Sequence, residues 1–417
     1  VRQAGDMSAS SASVSVSSGD ESLDEQDCPV TEEWLAAVLA SHLDTQVQVD
    51  TFTVRPGCDQ GESVLSDILA VHVDYTDTTT TGSHTLSLIV KLLPQDPFSR
   101  YFVTEAQFDL REIKFYTKVA PDLLRIQKDL LAEGCEEIEL PIPKCLHARY
   151  NADNDSVAQS VLVLENLKVQ GYSSCEFSKG LTLKQAESAL EAIARIHALS
   201  LVLKVKHKLA LDEKYPFLFQ TARASDSYQQ LVERGLPQLA HFLQRRPGLE
   251  SVLQCLSALT PNTKDIIAAL LAPEEPLCLI THTDFWCNNL LFREDGRCAV
   301  LDWQMVTYSR PTNDVALLLV SSLSTELRRT HTETLLDAYW AALNSYSFRL
   351  QLDITAELGY DRQNLSKDFR RSLLLALLLC IGSVDVALGD PLTEQRLLDV
   401  LHDLHTDGIL STDVLDQ

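Results

Sequence analysis

The chain has 417 residues, 45% hydrophobic and 23% charged, a balance that suits a soluble globular protein with length enough for two lobes. Its formal net charge of −24, from 59 acidic and 35 basic residues, disfavours nucleic acid or an anionic membrane surface as the main partner. No N-terminal stretch reads as a secretory signal, Leu373 to Ile381 is too short to span a bilayer, and the ten cysteines include no Cys-x-x-Cys pair, so a cytoplasmic protein with free thiols and no membrane insertion is expected.

Residues 1–28 are dominated by serine, alanine and acids, too few apolar groups to offset the entropy of ordering, and are expected to be a disordered tail. A helix is expected after Thr31, where a threonine cap precedes Glu32 and Glu33 and the apolar series Trp34, Leu35, Val38 and Leu39. Short β-branched runs follow at Val47 to Val54, Leu65 to Tyr75 and Leu86 to Val90, interrupted by Gly57, Gly61 and Gly82, and predict a small antiparallel sheet.

One helix is expected over Val103 to Val119 and one further strand over Ser160 to Leu164. Beyond Gly171 the periodicity is helical: a capping box at Thr182 and Gln185 opens one helix, and others are expected over about 226–243, 249–259, 263–271, 324–343 and 367–388.

Polar residues are densest at the end of an apolar run, in His282-Thr283-Asp284-Phe285-Trp286-Cys287-Asn288-Asn289. Two apolar strands then flank Asp295-Gly296, a dipeptide favoured in two-residue hairpins, and symmetry about that turn sets residue 289 opposite residue 302. Such a hairpin gathers Asn289, Asp302 and Asp284, hard oxygen ligands and a free carboxylate suited to magnesium and a phosphate. Termination of the strands by Asp302 and Asn289 is the plainer alternative.

Lys91 interrupts the apolar strand Leu88 to Leu93, and its burial calls for an anion. Glu112 shares a helical stripe with Phe108, Phe115, Tyr116 and Val119, so a Lys91–Glu112 ion pair satisfies both; a snorkelling lysine and a rim glutamate are the alternative. His197, on an apolar helical face, reads as a satisfied core histidine, His282 as a brace for its loop, and Asp314 as an N-cap of the helix after it, with a tie from that helix to the loop at Asp284 as the alternative.

A strand lysine, a helix glutamate, an Asp and Asn five apart and an Asp thirteen beyond resemble the parts of a kinase-like phosphotransferase. More narrowly, residues 282–289, Leu301-Asp302-Trp303-Gln304, Leu164-Glu165-Asn166-Leu167 with Gly171-Tyr172, and Glu112-Ile113-Lys114-Phe115-Tyr116 resemble the ecdysteroid-kinase-like, or choline-kinase-like, family among the aminoglycoside phosphotransferases. The resemblance spans roughly residues 30 to 400. It implies an α+β, two-lobed protein-kinase-like fold, with an N-lobe over 29–167, made of a small antiparallel sheet and one long helix, and a larger, mainly helical C-lobe over 168–417.

The same resemblance implies ATP and Mg2+ as cofactors and a small-molecule hydroxyl as acceptor, of an ecdysteroid or a similar lipophilic alcohol. Asp284 would be the base, Asn289 and Asp302 the magnesium ligands, and Lys91, steadied by Glu112, the contact to the nucleotide phosphates. The backbone of Glu165, Asn166 and Leu167 would pack against adenine, and the turn holding Gly61 and Ser63 would cover the phosphates. Thr283 stands where the family usually has glycine, and Asp302-Trp303-Gln304 in place of Asp-Phe-Gly argues against a protein kinase. A catalytically inactive nucleotide-binding module and a choline- or ethanolamine-type kinase are the alternatives.

Overall fold

The computed structural model of the chain describes residues 30–58, 65–79, 82–151, 160–207 and 210–416. The N-terminal tail, Gly61 and Ser63 lie outside the described residues. Helix α1, Glu32–Leu43, begins as expected, with the Thr31 hydroxyl accepting from the Trp34 amide at 3.2 Å.

Five antiparallel strands follow: β1 Val47–Pro56, β2 Asp67–Asp77, β3 Ser83–Leu92, β4 Cys145–Arg149 and β5 Val161–Glu165, in the order β1-β2-β3-β5-β4. Side chains alternate across the sheet. Leu88, Val90, Val161 and Val163 join Leu35, Val38 and Leu39 of α1 in one core, while Leu162 and Leu164 face the opposite way into the main core. Lys91, one step from Val90, therefore points toward the rest of the molecule.

The single helix expected over residues 103–119 is broken. α2, Pro97–Ala106, stops at Gln107, whose φ of 58° is left-handed, and α3 spans Phe108–Lys114. A π-helical turn, Phe115–Val119, then leads into α4, Ala120–Leu130. Pro121 has no amide proton to donate into the preceding turn, which explains why the ladder is disturbed there; Ala120 N–H instead reaches the Phe115 carbonyl.

The C-terminal part is mainly helical. α5, Leu183–His207, opens on the expected capping box, with Gln185 N–H donating to Thr182 Oγ1 at 3.3 Å and Thr182 N–H to Gln185 Oε1 at 3.0 Å. Around it pack the helices Thr221–Gln244, Glu250–Leu259, Thr263–Leu271, Thr312–Ser322, Thr325–Arg349, Arg362–Gly382 and Pro391–Thr406. Two strand pairs sit among them: β6 Leu279–Thr281 with β9 Thr307–Ser309, and β7 Leu290–Phe292 with β8 Cys298–Val300. Among the described residues no helix is long and apolar enough to cross a membrane.

The fold is therefore α+β: a five-stranded antiparallel lobe followed by a larger, mostly helical part. Strand β4, the breaks around α3 and the helix Pro391–Thr406 were not anticipated from periodicity.

Candidate active site

Lys91 Nζ lies 2.6 Å from Glu112 Oε2, the pair expected from two separate apolar stripes. It also lies 2.5 Å from Asp302 Oδ1. Burial works against the ammonium, but the carboxylates of Asp302 and Glu112 outweigh it and hold the lysine proton above its ordinary range. Glu112 is 4% exposed, and burial outweighs the pull of Lys91, so its carboxyl is pushed up to about 7.

Aromatic packing sets this geometry. Trp303 stacks on Phe115 with centroids 3.9 Å apart and planes 5° apart, and meets the His282 ring edge-on at 4.6 Å. The wedge holds the turn after α3, the loop after β6 and Asp302 against one another. Asp302 itself adopts φ 62°, ψ 66°, a left-handed conformation tolerated best by residues with short polar side chains.

The loop after β6 is pinned by Asp314. This fully buried carboxylate accepts from the amides of His282 at 2.8 Å and Thr283 at 2.7 Å, and contacts His197 Nε2 at 3.1 Å. His197 is held in turn by the Tyr339 hydroxyl at 2.8 Å. Asp314 lies inside the helix Thr312–Ser322, so the expectation of an N-cap fails; its acceptor oxygens serve the preceding loop instead.

Thr283 has φ 66°, a conformation uncommon for a β-branched residue and natural for glycine. Besides the bond to Asp314, its hydroxyl meets that of Thr307 at 2.6 Å and that of Thr281 at 3.2 Å. His282 braces the loop as expected: its Nδ1 accepts from the Asp284 amide at 3.2 Å, which leaves Nε2–H to donate to the Leu301 carbonyl at 2.7 Å.

Asp284 is thereby placed beside Asn289, whose Nδ2 donates to the Asp284 carboxylate at 2.8 Å and to its carbonyl at 2.9 Å. Burial pushes the Asp284 carboxyl up to about 6, assisted by the charge of Asp302 and opposed by His282 and the Asn289 hydrogen bond.

The hairpin register differs by one residue from the expected one. Leu290 pairs with Val300 and Phe292 with Cys298, so Asn289 faces Leu301, whose amide donates to the Asn289 carbonyl at 2.8 Å. Arg293 N–H bonds the Arg297 carbonyl, and the loop between them holds three residues, with Gly296 at φ 93°. A three-residue loop closed by a left-handed glycine replaces the two-residue turn. Asp302 thus lies one step past the pair, where Lys91 reaches it.

Glu165 ends β5 and spends its carboxylate on the Lys144 amide and Gln170 Nε2, both at 2.8 Å. The Asn166 amide donates to the Ser87 carbonyl at 3.0 Å, and Leu167 opens a 3-10 turn that ends at Gly171. These residues form the connector from sheet to helical part. Among the described residues no three His, Cys, Asp or Glu side chains gather as a metal centre; the polar cluster is the mixed set Lys91, Glu112, Asp284, Asn289 and Asp302.

These five residues were legible in the sequence. The wedge formed by Trp303 is not legible in the sequence, since nothing in its spacing distinguishes it from a core residue, and of the two readings of Asp314 the tie to the loop is the one that holds. The sequence pattern of the ecdysteroid kinase-like family matches residues 60–352, well over half of the chain, and spans all five.

The chain belongs to the ecdysteroid kinase-like family. Among solved structures this family member is similar to choline kinase from Cryptosporidium parvum Iowa II, at 12% identity and TM-score 0.46, covering 88% of this chain and 94% of that one. Choline kinase LicA from Streptococcus pneumoniae is similar at 15% identity and TM-score 0.42, covering 90% and 99%. A curated relative, the uncharacterized oxidoreductase dhs-27 of Caenorhabditis elegans, is 21% identical over 263 residues, 59% of this chain. The chain spans 30% of that relative's length.

Proposed function

We propose that the chain is an ATP- and Mg2+-dependent phosphotransferase that phosphorylates a hydroxyl of a small molecule, an ecdysteroid or a similar lipophilic alcohol. The observation that carries this reading is the convergence of Lys91, Glu112, Asp284, Asn289 and Asp302 from the sheet, α3, the loop after β6 and the β7–β8 hairpin. Two buried or half-buried carboxylates, Glu112 and Asp302, share one ammonium, and the like charge of Asp284 acts on Asp302 from the other side, an excess of negative charge that a divalent cation would offset.

The donor set fits magnesium. Asp302 and the amide oxygen of Asn289 are hard oxygen donors, few enough that waters and phosphates would complete the shell. Bound there, the ion would offset charge on the transferring phosphoryl group. Asn289 Nδ2 fixes its own amide on Asp284, which leaves the oxygen on the other side of the group.

Asp284 orients the acceptor hydroxyl and takes its proton; a carboxylate pushed up toward neutrality by burial holds that proton better than a solvated one. Lys91, with Glu112 behind it, contacts the nucleotide phosphates. The connector at Glu165, Asn166 and Leu167 offers backbone to adenine, and the lobes divide at residues 167 and 168.

An apolar wall beside Asp284 supports a lipophilic acceptor. A cavity of ≈ 60 Å³ opens next to its carboxylate, lined by Leu317, Val320, Leu379, Leu397 and Val400. Family membership supports the same substrate class.

The test is ADP release with Mg2+-ATP against a panel of ecdysteroids, choline, ethanolamine and aminoglycosides, with Asp284→Ala alongside. Acceptor-dependent release that Asp284→Ala abolishes is expected. Turnover retained in that variant would remove Asp284 from its role, and release with choline but no lipophilic alcohol would overturn the substrate class.

A further inference from the structure

The cavity beside Asp284 is not lined by apolar groups alone. Arg396, on the helix Pro391–Thr406, is 7% exposed and lines the cavity. One of its terminal nitrogens donates to the Phe177 carbonyl at 3.0 Å, and its guanidinium lies 4.5 Å from the centre of the Phe177 ring. Among the described residues no carboxylate comes within ion-pair distance of it, and burial pulls its proton affinity below the ordinary arginine range. A guanidinium carries five N–H donors in a planar fork, so a buried one without an anion is costly.

Two other polar groups of the lining are engaged elsewhere. Thr393 donates its hydroxyl to the Ala387 carbonyl at 2.6 Å and Ser321 donates to the Leu317 carbonyl at 2.6 Å. Trp286 Nε1–H is buried and turned toward the Asp284 carboxylate, whose proton affinity it lowers. The cavity thus presents a buried cation and an apolar wall beside Asp284.

We infer that Arg396 is a specificity-determining residue that binds an anionic oxygen group, a carboxylate, so that among lipophilic alcohols those bearing a carboxylate bind best and cationic amino alcohols are rejected. This inference rests on the reading of Asp284 as the group that faces the acceptor hydroxyl. A bidentate guanidinium–carboxylate pair in an apolar cavity is geometrically selective and strong. An ammonium or quaternary amine would meet Arg396 as a like charge. Space of ≈ 60 Å³ admits a headgroup and a short piece of chain, the remainder lying toward the cavity mouth.

The experiment is equilibrium binding by calorimetry of three probes of equal chain length: a medium-chain ω-hydroxy fatty acid, its methyl ester, and the ω-hydroxyalkyl trimethylammonium ion. Each is titrated into the wild-type protein, Arg396→Met and Arg396→Lys. The acid is expected to bind wild type at least about tenfold more tightly than the ester or the ammonium ion, with the preference lost in Arg396→Met and partly kept in Arg396→Lys. Equal binding of the three, no binding of the acid, or tightest binding of the ammonium ion would overturn the inference, and the wild-type comparison decides this even if Arg396→Met does not fold. A merely structural Arg396 would lower the melting temperature of Arg396→Met while leaving the probe ranking unchanged, which also overturns it. Thermal stabilisation by Mg2+-ATP, measured on the same samples, reports separately on the phosphotransferase reading: its absence counts against that reading, whereas its presence with no acid preference counts against Arg396 alone.

Discussion

Lys91 and Asp302, 211 residues apart in sequence, meet at 2.5 Å, and Glu112 closes the group from the other side at 2.6 Å. The contact ties the sheet to the β7–β8 hairpin through one ammonium. Because all three groups are buried or half-buried, each depends on the others for charge balance.

Removal of Lys91 should therefore expose that dependence. Lys91→Ala is expected to lower unfolding free energy by about 3 to 5 kcal/mol, since it leaves two carboxylates without their cation. Lys91→Ala/Glu112→Gln should recover part of the loss. Denaturant titration of the single and double variants checks this; equal stability of wild type and Lys91→Ala would refute the coupling.

Asp314 should matter more than its absence from the polar cluster suggests. Its carboxylate takes the amides of both His282 and Thr283, and charge-assisted bonds of this kind contribute about 1.5 to 3 kcal/mol each. Asp314→Ala is expected to lose several-fold to a hundred-fold in turnover while Asp284 remains in place, together with a clear drop in melting temperature. A variant with unchanged melting and turnover would mean that the loop holds its shape without this anchor.

Thr283 gives a test with opposing contributions. Glycine at this position would relieve about 1 to 2 kcal/mol of left-handed backbone strain but delete the hydroxyl contact to Thr307. Thr283→Gly is expected to be near neutral in stability. Thr283→Val keeps the strain and loses the hydrogen bonds, and is expected to destabilise by about 1 to 3 kcal/mol in the same thermal melts. If valine is tolerated and glycine is not, the strain argument is wrong.

Gly235 sits at a close crossing of two helices. A Cβ there would lie 1.8 Å from the Ile381 carbonyl oxygen, so the helices Thr221–Gln244 and Arg362–Gly382 would have to separate. Gly235→Ala is predicted to destabilise by about 1 to 3 kcal/mol or more, against the usual gain for alanine in a helix. A melting temperature at or above wild type would show that the crossing can relax.

Asp403 gives the expected pH dependence of the helix that carries Arg396. Burial raises its carboxyl, but hydrogen bonds from Arg329 and Arg328 outweigh burial and hold it below the ordinary aspartate range. A depressed carboxyl contributes stability above its unfolded-state pKa and loses it as pH falls through the folded one. Asp403→Asn should thus cost about 1 kcal/mol near neutrality, and the difference from wild type should shrink below about pH 4. A difference that stays constant down that range would contradict the assignment.

The five polar residues of the site were legible because each breaks a local rule: Lys91 sits in an apolar strand, Glu112 on an apolar helical stripe, and Asp284, Asn289 and Asp302 at the ends of short apolar runs. Sheet membership followed from alternation in the same way. Less was legible where a tertiary or turn-level choice decides the outcome. Asp295-Gly296 suits a two-residue turn, yet Gly296 in its left-handed conformation closes a three-residue loop, which shifts the partner of Asn289 to Leu301. The π-helical turn at Phe115 depends on Pro121 and on packing against Trp303, a residue far along the chain. Asp314 resembled a helix cap because the loop it holds is near only in space.

Calorimetric titration of ATP into the wild-type protein and Asp302→Ala, each with and without Mg2+, tests the central claim most directly. Magnesium-dependent binding to the wild type is expected, weakened by at least about tenfold in Asp302→Ala. Absence of ATP binding by the wild type, or binding that ignores both magnesium and the loss of Asp302, would contradict it.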